Sequence, residues 1–381
     1  MLALGMLAQT ASAVFINGAA FLIPAFRDDQ GLSLGHAGLI VALPTVGVML
    51  TLIAWGALTD RVGERRVLIL GLGLTSSVSA AAYFTTSLIF LSLFFLLGGM
   101  AAASANSASG RVVVGWFPPE RRGLAMGIRQ MSLPLGVAIG ALAIPPIARD
   151  HGIGVALLIP AAVCSVVAVL CLAVVDPPRP SANAAAQQGL LDNPYRGNGH
   201  LWRIHLSSML LIVPQTVVWT FALVWLMTDR GWSAAAAGIF VTASQVVGAL
   251  SRTGVGALSD RLSSRMRPLR WVAVGSTLSM FVLALSAWMD WQASVFALFV
   301  AAVLTVAPNG LAFTAVAEYS GPFWSGRALG TQNTGQYLVG SVVPPAFGAL
   351  AAISFPFAFL ISAVLPALSV PIVPPDQAAN E

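Results

Sequence analysis

Apolar runs of bilayer length follow one another along almost the whole chain, separated by short stretches of charge, Pro and Gly. They fall near 3–25, 35–58, 67–86, 88–110, 124–148 and 153–175, and then near 204–228, 234–257, 269–289, 291–316, 327–350 and 352–373. Each is close to the ~20 residues that carry a helix across a hydrocarbon core. The pattern predicts an all-α integral membrane protein with twelve transmembrane helices in two pseudo-symmetric six-helix bundles. The only polar, low-complexity stretch, 176–200, is rich in Pro, Ala, Asn, Gln and Gly and reads as a flexible connection. The predicted division is a first bundle over 1–178, a linker over 179–203 and a second bundle over 204–381.

Composition agrees with this pattern. Of 381 residues, 57% are hydrophobic and 9% charged, whereas soluble domains carry about a quarter charged residues. Twelve spans leave only about 140 residues for every loop and both ends, too few for a soluble enzyme domain. The apolar start through Ala11-Ser12-Ala13 has no basic leader and runs on to Pro24, so it reads as the first span. Cys164 and Cys171 share one apolar helix, ~10 Å apart along its axis, too far for a disulfide.

The charges fix an expected orientation. The net charge of +5 comes from nineteen Arg and no Lys against fourteen acids, and Arg accumulates in short cytoplasmic loops. With both termini cytoplasmic, the inner side holds Arg61, Arg65, Arg66, Arg111, Arg121, Arg122, Arg179, Arg196, Arg203, Arg261, Arg265, Arg267, Arg270 and Arg327. The outer side holds Arg27, Arg149 and Arg230, and two Arg remain inside spans. The expected location is the cell inner (plasma) membrane.

An internal repeat ties the halves together. Gly31-x-Ser33, Gly38, Gly56-Ala57-Leu58 and Asp60-Arg61 recur as Gly231-x-Ser233, Gly238, Gly256-Ala257-Leu258 and Asp260-Arg261 at an offset of 200 residues, and Pro145-Pro146 recurs as Pro344-Pro345 at 199. Small residues where helices meet give isolated Gly matches by chance, but chance does not place two charges at one offset.

Between the second and third spans stands Gly56-Ala57-Leu58-Thr59-Asp60-Arg61-Val62-Gly63-Glu64-Arg65-Arg66. Gly63 permits a sharp reversal, Asp60 suits a neighbouring helix N-terminus, and the Arg run suits an anionic inner leaflet. This loop resembles the signature loop of the major facilitator superfamily, and with the six-plus-six pattern the resemblance covers the whole chain. Thr59 and Glu64 depart from the family's usual residues, and the second copy has Ser263 in place of Gly63. The resemblance implies a transporter whose two bundles rock around a central site, with no enzymatic activity, cofactor or metal. Spans 1, 4, 7 and 10 then line the cavity, while spans 2, 5, 8 and 11 flank the seam. It further implies that Asp60 and Arg61 belong to a gate, with Gly56, Gly63 and Arg65 in the same loop. Arg111 is the expected partner in span 4, Glu318 its expected counterpart in span 10, and Asp260 and Arg261 are the second copies.

The two Arg left inside spans are Arg129, ~10 Å below Arg122, and Arg252, ~12 Å above Asp260, against a half-thickness of ~15 Å. A buried Arg costs about 3 kcal/mol on insertion scales. None of the fourteen acids lies deep in a span; Asp60, Glu64, Glu120, Asp176, Asp192, Asp260, Glu318, Asp376 and Glu381 fall on the inner side and Asp28, Asp29, Asp150, Asp229 and Asp290 on the outer. The expected counter-charge is therefore the cargo, a small carboxylate or oxyanion held by planar Arg forks. Monocarboxylate and nitrate porters of the superfamily are similar in carrying a span-8 Arg, although Gly248 stands where the monocarboxylate group often has an acid. The competing reading is that Arg252 or Arg129 snorkels to the rim, or caps the carbonyl ends of a neighbouring helix. Gln130 follows Arg129, and the corresponding stretch of span 11 carries Gln332, Asn333 and Gln336, polar groups that face an interior or a wet cavity.

Further candidate wall groups are Asn17, Asn106, Gln215, Trp219, Trp225, Asn309, Phe313 and Tyr337, each singly as much a packing residue as a ligand, and Trp225 an interfacial anchor by its position. Pro134, Pro214 and Pro308 are candidate kinks. His36, His151, His200 and His205 read as solvated loop residues, which leaves the spans without a titratable switch. The remaining modes are anion exchange, facilitated diffusion, or symport of a protonated substrate, since a monoanion gains or loses about 2.3 kcal/mol per 100 mV. The alternative function is drug or neutral-metabolite efflux, although span 5 reads Met131-Ser132-Leu133-Pro134-Leu135-Gly136 rather than the antiporter signature. Expected partners are a small anionic substrate and the lipid bilayer, with no nucleic acid, for a protein acting as a monomer.

Overall fold

The computed structural model describes residues 1–196 and 199–376; Glu381, read above as an inner-side acid, lies outside them. Among the described residues there is no strand, and twelve helices are long and apolar enough to cross a membrane. In chain order the spans are Leu2–Asp28, Gly35–Val62, Glu64–Phe84, Leu88–Trp116, Pro119–His151 and Ile153–Ala173, then His200–Thr228, Ala234–Arg261, Met266–Trp288, Ala293–Ser320, Ser325–Ile353 and Phe355–Ile372. The apolar runs located all twelve; the largest error is at span 4, which ends at Trp116 rather than 110. Hydropathy stops where the side chains turn polar, whereas the helix continues to a cap or a break. In hydrocarbon the backbone must satisfy its own hydrogen bonds, so runs of this length become helices.

Caps set the helix ends. Ser33 Oγ accepts from the His36 amide at 3.2 Å and Ser233 Oγ from the Ala236 amide at 3.2 Å, the same N-cap in both copies of the repeat. Gly63 closes span 2 with φ +96°, and Ser263, its second-copy equivalent, adopts φ +47°, a conformation that costs a side chain more than glycine.

The described residues pack as two compact units, one of residues 1–116, 131–192 and 320–334, the other of 117–130, 193–319 and 335–376. Each takes a half-helix from the other half of the sequence: span 5 changes unit at Gln130–Met131 and span 11 at Thr334–Gly335. The first unit is centred on Ala8, Ala11, Val67, Leu68, Leu72, Ala105 and Cys164. Gly47 and Gly99 let spans 2 and 4 touch backbone to backbone, as small residues do in membrane interfaces. The second unit is centred on Val217, Trp225, Leu226, Met280, Leu283, Leu298 and Phe359. Trp225 is fully buried, with the Arg230 guanidinium 4.9 Å above its ring, so it is a core residue rather than an interfacial anchor.

Spans 5 and 10 are each two helices. Span 5 is Pro119–Arg129 and Ser132–His151, joined by Gln130–Met131. Span 10 is Ala293–Val306 and Pro308–Ser320, joined by Ala307. Pro134 lacks the amide that would bond the Gln130 carbonyl, and Pro308 opens the second half of span 10. Pro214, in contrast, sits inside an unbroken helix.

Candidate functional site

In the first unit, Asp60 ends span 2 as a buried carboxylate. Its oxygens accept from the amides of Gly326 at 2.8 Å and Arg327 at 3.0 Å, which caps the N-terminus of span 11. Arg111 from span 4 reaches Asp60 at 3.1 Å and Glu64 at 2.9 Å, and Arg327 Nε reaches Asp60 at 3.1 Å. Arg179, from the stretch after span 6, donates to the Asp60 carbonyl at 2.7 Å and to Glu64 at 3.4 Å. Asp176 accepts from the Arg65 amide at 2.7 Å and lies where a Cβ on Gly63 would fall.

The second unit repeats the carboxylate caps and reverses one ion pair in sign. Asp260 accepts from the amides of Gly123 at 2.9 Å and Leu124 at 2.8 Å, and Asp376 accepts from the Met266 amide at 3.1 Å. Asp376 repeats Asp176 at an offset of 200 residues. In the first unit a span-4 arginine, Arg111, meets a carboxylate that opens span 3. In the second unit a span-10 carboxylate, Glu318, meets an arginine that precedes span 9: Arg265 bonds Glu318 at 3.1 Å and Asp260 at 2.5 Å. Burial alone would lower the Arg265 guanidinium, but bonds and charge from Glu318 and Asp260 outweigh it and hold it above its ordinary range.

Glycines permit both clasps. A Cβ on Gly326 would collide with the Gly56 carbonyl and a Cβ on Gly123 with the Gly256 carbonyl, and the collisions are reciprocal. Gly326→Val is expected to lower the thermal unfolding midpoint of the purified protein by several degrees, because overpacking costs about 1–3 kcal/mol. An unchanged midpoint would show that this contact carries no stability.

The gate residues read from the sequence divide accordingly. Gly56, Asp60, Gly63, Arg111, Asp260 and Glu318 are in the clasps. Arg61 and Arg261 stand exposed and join no ion pair among the described residues, and Arg65 contributes its amide while its side chain is exposed. Each Arg follows its Asp by one residue, ~100° around the helix and facing away. Sequence reasoning missed Arg265, Arg179 and Arg327 as ligands of these carboxylates, and Asp176 with Asp376 as caps; the recurrence of the last pair was the available signal.

Deeper in the spans lie two amide networks. In the first unit Gln9 Nε2 donates to Asn106 Oδ1 at 2.9 Å and Ser109 Oγ donates to Gln9 at 3.3 Å. In the second unit Asn309 Nδ2 donates to Gln215 Oε1 at 3.0 Å, and Gln336 Nε2 donates to Ser208 Oγ at 2.6 Å and to Asn309 Oδ1 at 3.3 Å. Gln9 was not anticipated, yet Gln9-Thr10 recurs as Gln215-Thr216 and Asn106 as Asn309. Of the other wall candidates, Asn17 and Asn333 bond carbonyls of their own helices, Ala13 at 3.1 Å and Leu329 at 2.9 Å. Gln332 and Phe313 are buried, Tyr337 is half-buried and Trp219 is 41% exposed.

Arg129 and Arg252 lie in the second unit, both buried. Arg129 is the last residue of the first half of span 5; its Nη1 donates to Gln130 Oε1 at 3.2 Å and lies 3.7 Å from Met126 Sδ. Arg252 donates Nε–H to the Val306 carbonyl at 3.0 Å and Nη1–H to the Gln130 carbonyl at 3.4 Å. Arg252 therefore does cap carbonyl ends, one of the two roles left open by the sequence. It makes no ion pair among the described residues, whereas Arg111 and Arg265 each meet two carboxylates.

The reading of all four His as solvated is corrected. His200 and His205 are buried, His205 Nε2 lies 2.9 Å from the Tyr195 hydroxyl, and the His200 ring packs 4.1 Å from that of Tyr319. Span 7 begins at His200, four residues before its apolar run, so both His lie in its first turns and not in a loop.

Twelve helices apolar enough to cross a membrane, with charged clasps at matching places in the two halves of the sequence, define a multi-pass helical membrane protein. The family model for the Major Facilitator Superfamily matches residues 5–344, and the chain belongs to that family. It is 49% identical to "Uncharacterized MFS-type transporter Rv2994" of Mycobacterium tuberculosis, over 97% of this chain and 83% of that protein. It is 26% identical to "Probable nitrate/nitrite transporter NarK2" of the same species, over 69% of this chain and 67% of that protein. The crystal structure of FucP in the outward conformation superposes with a TM-score of 0.76 at 18% identity, covering 98% of this chain and 97% of that one.

Proposed function

We propose that the protein moves a small organic or inorganic anion, carboxylate-like in its planar oxygens, by alternating access across the cell inner membrane, with both termini cytoplasmic. The observation that carries this reading is the contrast among buried arginines. Arg111 and Arg265 are matched by carboxylates, while Arg252 is met by carbonyl oxygens, which orient a guanidinium but leave its charge uncancelled. An uncancelled charge in a span is costly, and an anionic cargo offsets that cost on arrival. Arg129 and the Gln215–Asn309–Gln336 network, in the same unit, supply the accompanying donors. The name of the nitrate/nitrite relative is consistent with an anion; it does not choose between oxyanion and carboxylate.

The test is uptake into proteoliposomes of labelled lactate, succinate, nitrate and a neutral sugar. Anions are expected to move and the sugar to stay out. Transport of the sugar with no anion flux would favour the neutral-metabolite reading and reject this one.

A further inference from the structure

The junction around Arg252 has a counterpart in the other half of the sequence, and the two differ at three positions together. At the repeat offset of 200, Arg252 corresponds to Leu52; at 203, Pro308 corresponds to Ala105, and Pro134 to Tyr337. In the first unit Leu52 is fully buried, its carbonyl accepts from Ser107 Oγ at 3.2 Å, and a Cβ on Gly330 would lie 2.6 Å from that carbonyl. In the second unit a Cβ on Gly127, the equivalent of Gly330, would lie 2.7 Å from the Arg252 carbonyl. The backbones are thus arranged alike, and the junction is built without a charge in one case.

The helices around the two junctions are not alike. Spans 4 and 11, which flank Leu52, are continuous from Leu88 to Trp116 and from Ser325 to Ile353. Spans 10 and 5, which flank Arg252, are both broken, at Ala307 and at Gln130–Met131. The Arg252 guanidinium reaches the carbonyl at each break: Val306 at 3.0 Å and Gln130 at 3.4 Å. The Gln130 carbonyl is available because Pro134, four residues on, has no amide to offer it.

We propose that Arg252 is a latch, a positioning residue that holds spans 5 and 10 in their broken form, and that an anion taken by its guanidinium releases the Gln130 carbonyl. The second clause rests on the anion reading above; the first does not. A guanidinium has five N–H donors, and two are engaged here. The Gln130 bond is the longer one, beyond the usual 2.7–3.2 Å range, and yields first. Span 5 changes unit at this same peptide, Gln130–Met131.

The experiment is hydrogen–deuterium exchange on the full chain in lipid nanodiscs, followed over 128–136 and 304–312. Without any anion, Arg252→Leu, which installs the residue of the other junction, is expected to speed exchange in both segments about tenfold, and Arg252→Lys, a single point donor, less. Pro134→Ala returns an amide to Gln130 and is expected to slow exchange over 128–136. Unchanged exchange in Arg252→Leu and in Pro134→Ala would overturn the latch. Adding lactate or nitrate to the wild type is expected to speed exchange over 128–136 alone. If an anion that the protein transports leaves that segment unchanged, the coupling is overturned; if no anion is transported, the anion reading fails while the first comparison still judges the latch.

Discussion

Arg111→Glu is expected to abolish transport, and adding Glu64→Arg is expected to restore at least a tenth of it. In the single mutant the new carboxylate crowds Asp60 and Glu64 in a buried site that Arg111 otherwise holds together at 3.1 and 2.9 Å. Removing one partner of a buried ion pair costs about 3–5 kcal/mol, and reversing it adds repulsion. The double mutant reproduces the arrangement of the second unit, where Arg265 stands between Asp260 and Glu318. The check is initial uptake rate normalised to membrane expression, read as a double-mutant cycle. A double mutant as inactive as the single would mean that the two clasps are not interchangeable in sign.

Arg252→Gln is expected to lower anion uptake about a hundredfold, the ~3 kcal/mol of a charge-assisted hydrogen-bonded pair in a low-dielectric site. Its thermal midpoint is expected to fall as well, because the Val306 and Gln130 carbonyls at the two helix breaks lose their donor, a loss the continuous helices around Leu52 do not face. Arg252→Lys is expected to fall between, since an ammonium keeps the charge but loses the planar fork. Full activity in Arg252→Gln would make the residue a structural cap and nothing more.

The fold was legible because the bilayer imposes one solution on long apolar runs, and every span was located. The clasp carboxylates were legible too, since Asp60 and Asp260 recur with their flanking glycines. Their partners were harder to find: Arg179 and Asp176 come from the stretch read as a flexible linker, and Arg265, at the repeat offset the counterpart of the exposed Arg65, takes opposite Glu318 the place that Glu64 takes opposite Arg111. The breaks in spans 5 and 10 were flagged only as candidate kinks, because Pro214 carries the same signal and leaves its helix intact. What separates them is the neighbouring Arg252, a contact between helices 122 residues apart in sequence. His200 was misplaced because hydropathy begins span 7 one turn too late, and His205 because it stands at the very edge of the 204–228 run.

The central claim is that the cargo brings the negative charge Arg252 lacks. Calorimetric titration of the purified protein with lactate and with its neutral amide, lactamide, tests it most directly, with nitrate as a second anion. Saturable heat is predicted for at least one anion and none for lactamide, with the anion signal lost in Arg252→Gln. Equal binding of lactate and lactamide, unaltered by that substitution, would contradict the account.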